Sequence, residues 1–230
     1  MARRLWLLSA LIPILALAGC LPQYYPGYYA RLESPVVIPM EDSTRVRNVI
    51  SATVGGGGAV YGSEKSNGFA TFDLTASSFE RIGGAGISVR GMAGRIDVRS
   101  VPRFNGLYTY YNISPLAFFT LFFRRGGFLG DIGWRFGLYS ETGPYADFRK
   151  SAERNNLIDR QGENFGPVGG SFLGFQVKAH ENIFLWQASA GWPTVLNLSL
   201  GLSRSRHTVS VNVRPLGFFA ASVSYTYGLY

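Results

Sequence analysis

One cysteine, two histidines and a few charged side chains are the groups in this chain that could do chemistry. Cys20 is the strongest nucleophile among them. It ends an apolar run, Leu5 to Ala18, that follows Met1-Ala2-Arg3-Arg4, and the small residues Ala18 and Gly19 stand directly before it. A lone cysteine is usually a small buried hydrophobe; this one sits where small neighbours let the chain enter a peptidase site. With a single cysteine, no intrachain disulfide forms. His180 and His207 have no second His or Cys at ligand spacing, so no metal site is expected. His207, Ser210 and Glu181 supply the side chains of an acyl-hydrolase trio. No Gly-x-Ser-x-Gly elbow accompanies them, and a histidine at a strand end reads more simply as a polar interfacial residue. Gly55-Gly56-Gly57-Gly58 is not followed by the Lys-Ser/Thr of a phosphate loop. No catalytic residue and no cofactor are therefore expected.

The apolar run is shorter than the roughly 20 residues of a transmembrane helix, and it carries Ser9 and Pro13. A basic start, a short apolar stretch and small residues at its end are the marks of a signal peptide. Leu17-Ala18-Gly19-Cys20 resembles the lipobox of bacterial lipoproteins. The resemblance implies cleavage before Cys20, acylation of Cys20 with three chains, and firm membrane anchoring, which takes more than one chain. It also implies sorting to the outer membrane, because Leu21 rather than Asp follows. Residues 1–19 read as the signal peptide and 20–44 as a lipidated tether. In the latter, Gln23-Tyr24-Tyr25-Pro26-Gly27-Tyr28-Tyr29, Pro35 and Pro39 are poor material for helix or central strand. Its tyrosines suit the headgroup level.

Residues 45–230 must then hold whatever this protein works with, and their dominant period is two. Phe128, Ile132, Trp134, Phe136 and Leu138 share one face of a strand, with Asp131, Gly133, Arg135 and Gly137 on the other. The pattern recurs in 172–180, 209–213 and 219–229. Strands are predicted at 46–61, 67–79, 83–100, 106–122, 127–140, 168–180, 183–191, 195–203, 207–214 and 217–229. The 183–203 stretch is divided by a turn at Trp192-Pro193-Thr194. Gly91-Met92-Ala93-Gly94 reads as a hairpin turn or a bulge, because apolar parity shifts there; the hairpin would change the count, and eight and twelve strands are the neighbouring counts. The four glycines at 55–58 suit either a curved strand or a loop.

The fold class is all-β: an antiparallel, up-and-down transmembrane β-barrel of ten strands. Its apolar faces are aromatic, and the opposite faces are small and polar rather than rich in Lys and Glu. Ending on Tyr230 directly after a strand resembles the terminal signal of small outer-membrane barrels. Asp131, Arg135, Gln176 and Lys178 are the candidate lumen network, with Asp73, Asp97 and Arg99 beside them. Asp131 and Arg135 lie about 13 Å apart along one strand and so need partners elsewhere. The long 141–167 connection is the candidate outer interaction loop, through Phe148, Arg149, Lys150, Arg154, Asp159 and Arg160, and could hold a short helix.

The net charge of +8 falls by two once Arg3 and Arg4 leave with the signal peptide. The remaining excess is scattered, unlike the clustered basic face of nucleic-acid binders, so the expected partner is the membrane itself. The expected role is structural or surface-interacting, without catalysis. The alternatives are a soluble lipocalin-like lipoprotein binding a small apolar ligand and, third, a lipid-modifying acyl enzyme.

Overall fold

The computed structural model describes residues 23–40, 47–61, 64–160, 162–192, 196–215 and 219–229. The signal stretch and Cys20 lie outside the described residues. In chain order the elements are β1 (Gln23–Tyr24), β2 (Arg47–Tyr61), β3 (Glu64–Phe79), β4 (Gly83–Val98), β5 (Gly106–Arg125), β6 (Phe128–Thr142), α1 (Pro144–Arg154), β7 (Asp159–Arg160), β8 (Phe165–Ala179), β9 (Asn182–Trp192), β10 (Asn197–Arg204), β11 (His207–Arg214) and β12 (Phe219–Leu229). Ten of the strands, β2 to β6 and β8 to β12, pair antiparallel with their neighbours, and β12 returns to β2 to close the barrel. The predicted strand count and fold class hold. The β9–β10 ladder runs through Ser189↔Asn197; Pro193 and Thr194 of the predicted turn lie outside the described residues.

One local reading changes, and one alternative is settled. Gly91–Gly94 is neither turn nor bulge: β4 pairs without interruption from Gly84↔Phe79 to Ile96↔Asn67. The parity shift has another cause. Ile87 and Val89 point outward, whereas Met92, Ile96 and Val98 point inward. At that end the lumen itself becomes apolar, because these residues pack under α1 beside Tyr110, Tyr145 and Phe148. The glycine run is strand, laddered to β3 on one side and β12 on the other. A Cβ on Gly57 would overlap the Ala221 carbonyl oxygen and lie 2.8 Å from Ser222 Cα, so this seam closes only over glycine.

The strands are amphipathic with the apolar side out. Val54, Phe72, Leu74, Ile87, Ile113, Leu121, Leu173, Leu200, Val211 and Val223 are all exposed. Phe119 stacks on Trp134 at 4.9 Å, and Phe175 on Trp186 at 5.3 Å, within an outward aromatic band across β5, β6, β8 and β9. A water-soluble monomer rarely exposes more than a few hundred Å² of contiguous apolar surface, and here the whole belt is apolar. This is the reverse of a lipocalin, whose apolar face lines the interior. Polar residues line the inside: Thr120, Asp131, Arg135, Gln187, Ser199, Ser210, Asn212, Ser222 and Ser224 are buried there.

The two ends differ. One has tight turns at 80–82, Gly126-Gly127, His180-Glu181 and Ser205-Arg206, together with the first and last barrel residues, Arg47 and Leu229. His180 and Ser205 take left-handed conformations there, φ +57° and +54°. The other end carries the 99–105 and 143–164 connections, with α1 folded over the mouth.

Candidate functional site in the barrel lumen

Residues 23–40 run through the lumen. Sequence reading placed this segment outside the folded domain as a tether. It is extended, as its prolines require, but it is packed inside the barrel. At the α1 end, β1 pairs parallel with β7, Tyr24 hydrogen-bonds to Ser100 and its ring packs edge-on against Phe148 at 5.2 Å. Tyr145 Oη donates to Tyr25 O at 3.0 Å. A single 3-10 turn, Gly27–Ala30, then fills the lumen with aromatic rings. Tyr28 stacks on Tyr139 at 4.8 Å, and its N–H donates to Glu141 Oε2 at 3.2 Å. Gly27 is required by contact: a Cβ there would come 2.5 Å from the Tyr110 ring.

The midpoint of the lumen holds a buried ion cluster. Arg31 pairs with Asp73 of β3. Glu33 accepts from Arg90 of β4 at 2.5 Å and from Arg135 of β6. Arg90 Nε also lies 3.6 Å from Asp73. Both side chains of the segment therefore reach wall charges of opposite sign, which is what buried charges require. Arg135 further packs over the Phe172 ring at 4.8 Å.

The opposite wall holds the segment's backbone. Arg214 donates to Tyr29 O and, at 2.9 Å, to Arg31 O. Asn197 and Ser199 donate to Glu33 O at 3.0 and 2.8 Å. The Val36 N–H donates to Gln187 Oε1 at 2.9 Å. The Gln176 carboxamide faces both backbone polar groups of Ile38 at 3.0 Å. At the tight-turn end Ile38 packs with Phe79, Phe122 and Leu129, and Arg124 Nη2 donates to Pro39 O at 2.8 Å. Beyond β1, this extended chain thus finds hydrogen bonds in inward side chains from many strands.

Of the candidate lumen residues, Arg135 and Gln176 belong to this network. Asp131 points inward and is buried against Gly174, but its Oδ2 has no hydrogen bond among the described residues. Lys178 is exposed at the tight-turn mouth, beside Val37, Pro39 and His180. Asp73 is in the ion cluster, while Asp97 and Arg99 pair with each other at the rim, at 2.5 Å. Sequence reasoning missed Arg31, Glu33, Arg90, Gln187, Asn197 and Arg214.

The outer-loop candidates divide. Phe148 and Arg149 are buried, and this corrects their reading as contact residues. Phe148 sits against Tyr24 and Tyr108, and Arg149 donates to Gly162 O at 3.0 Å and Asn164 Oδ1 at 2.8 Å. Arg160 pairs with Glu153 at 3.0 Å and with Glu163. Lys150, Arg154 and Asp159 are exposed. The hydrolase trio does not assemble: His207 points outward, 2.5 Å from Tyr225 Oη, Ser210 points inward to Ser224, and Glu181 pairs with Arg204.

No protein-family model and no curated protein matches the chain. Among solved structures it is similar to the translocator domain of the autotransporter NalP from Neisseria meningitidis, at 12% identity and TM-score 0.45, covering 81% of this chain and 89% of that one. It is also similar to the outer membrane protein OprG from Pseudomonas aeruginosa, at 12% identity and TM-score 0.37, over 79% and 96%. Neisserial surface protein A follows at 10% identity and TM-score 0.35, over 80% and 98%.

Proposed function

We propose that this protein is a lipid-anchored bacterial outer-membrane β-barrel that is closed by its own amino-terminal segment and works as a structural or surface-interaction element, without catalysis. The observation that carries the reading is the 23–40 segment, ion-paired and hydrogen-bonded through the length of the lumen. A ten-strand barrel is narrow, since diameter grows with strand number, and this one has its interior occupied. It resists passage of solutes rather than conducting them. The apolar belt and aromatic band supply the bilayer contact. The lipobox supplies the anchor, with residues 1–19 removed as the signal peptide and Cys20 acylated. The exposed side chains of the α1 loop, Lys150, Arg154 and Asp159, are the accessible surface for a partner. A soluble ligand-binding barrel is disfavoured by the outward apolar face.

The test is mobility, mass and conductance of the protein from an outer-membrane fraction. A band that runs faster before boiling, an acylated Cys20 in the amino-terminal peptide, and a quiet planar bilayer after insertion are the expected results. Release into water on Cys20→Ser without a heat-modifiable band would replace the reading with a tethered soluble domain. A steady large conductance would make the protein a channel.

A further inference from the structure

The direction in which the segment crosses the lumen assigns a side of the membrane to its amino-terminal end. Its contacts form an ordered series. Tyr24 meets Ser100 and Phe148 at the α1 end. Arg31 and Glu33 meet Asp73, Arg90 and Arg135 halfway along their strands. Ile38 and Pro39 meet Phe79, Phe122 and Arg124 at the tight-turn end, where β2 then begins at Arg47. The chain therefore passes down the lumen from the α1 end before it turns back into the wall.

Barrels of this kind place short turns in the periplasm and long connections outside. The tight turns, with Arg47 and Leu229 beside them, are then periplasmic, and α1 faces the medium. Gln23 is on the outer side. Cys20 is three residues before Gln23, so covalent geometry keeps it within about 10 Å of that residue. A 15-residue strand such as β2, β6 or β8, rising ~3.3 Å per residue and tilted about 40°, spans on the order of 38 Å. Cys20 cannot reach the periplasmic side.

We propose that residues 23–40 cross the membrane inside the barrel from the outer face to the periplasmic face, so that the acyl chains on Cys20 enter the outer leaflet. The acyl part rests on the lipoprotein reading above; the crossing does not. Anchor and barrel termini then lie on opposite sides of one bilayer. The lipid cannot be withdrawn into the periplasm while the segment stays docked, and the segment is held at both ends.

The test uses single cysteines at exposed positions of the full chain, with a membrane-impermeant maleimide on intact cells. Gln23→Cys reports the segment's start, Lys150→Cys the α1 face and Glu181→Cys the tight-turn face. All three positions are exposed, and correct folding is verified by the heat-modifiable band. Labelling of Gln23→Cys and Lys150→Cys on intact cells, with Glu181→Cys labelled only after permeabilisation, is the expected result. Gln23→Cys silent while Lys150→Cys labels overturns the crossing. Glu181→Cys labelled while Lys150→Cys is silent overturns the orientation and puts the anchor in the periplasmic leaflet. The parent chain separates the lipoprotein reading from the crossing. An acylated Cys20 has no thiol to label. A reactive Cys20 ends the lipid assignment, and the three variants are then read in a Cys20→Ser background, where they still decide the crossing.

Discussion

Glu33→Ala should open the barrel without dismantling it. Glu33 is the only acidic side chain of the described segment, and its carboxylate takes both Arg90 and Arg135. With it gone, Arg90 keeps Asp73 at 3.6 Å, but among the described residues Arg135 keeps only the Ser34 carbonyl at 3.3 Å and the Phe172 ring as direct contacts. Removing one partner of a buried ion pair costs about 3–5 kcal/mol, because the other charge is left uncompensated. Nothing in the strand ladder depends on Glu33, so the loss falls on docking of the segment. At ~1.4 kcal/mol per tenfold, the docked-to-undocked ratio should drop by about two to three and a half orders of magnitude. The Arg31–Leu32 bond, buried in the parent, should become a trypsin site in detergent micelles, and planar bilayers should show intermittent openings. Arg135→Leu combined with Glu33→Ala should recover part of the loss. If the single variant is as protected and as quiet as the parent, the ion cluster does not hold the segment and the reasoning fails.

Arg214→Met keeps most of the side-chain volume but strips two donors from the Tyr29 and Arg31 carbonyls. It should cost about 2–3 kcal/mol of docking, as charged hydrogen bonds do, read by the same trypsin assay. Phe148→Ala empties the contact between α1 and Tyr24 and should cost about 3–5 kcal/mol locally. The expected sign is faster cleavage after Lys150 and Arg154 with an unchanged heat-modifiable band; loss of that band would mean the lid supports the barrel. Gly57→Val should block closure of the β2–β12 seam, so that no heat-modifiable band forms. A normally folded variant would refute the close approach at Ala221. His207→Ala should leave envelope lipids unaltered by mass spectrometry, and a changed acyl profile would reinstate an enzyme.

The wall of this barrel was legible because a bilayer on one side and polar filling on the other force strict alternation, and ten ladders follow from it with boundaries within a few residues. The filling was not, because residues 23–40 carry no period. Prolines and tyrosines without alternation say only that the segment is extended, and extended chain has the same composition inside a lumen as outside. The clue lay in the wall. Apart from Asn197 and Arg214, the buried polar inward positions of β10 to β12 are Ser199, Ser203, Thr208, Ser210, Asn212, Ser222 and Ser224, too small to meet across a closed ten-strand barrel. Arg90 and Arg135 add cationic charge at mid-lumen, where Asp73 lies 3.6 Å from Arg90 but Asp131, about 13 Å along the strand, is too far to pair with Arg135. Such a lumen needs an occupant that is extended, rich in backbone polar groups and acidic at one point. Glu33, between Pro26 and Pro35, is in the segment that fits. The parity shift at Gly91–Gly94 and the burial of Phe148 have the same origin. Where α1 and Tyr24 cap the mouth, inward residues pack into an apolar cluster, and the two-residue pattern alone no longer tells inside from outside. The occupant of this lumen is set by what the walls leave unfilled and unpaired, a property of strands far apart in sequence that only closure of the barrel brings together.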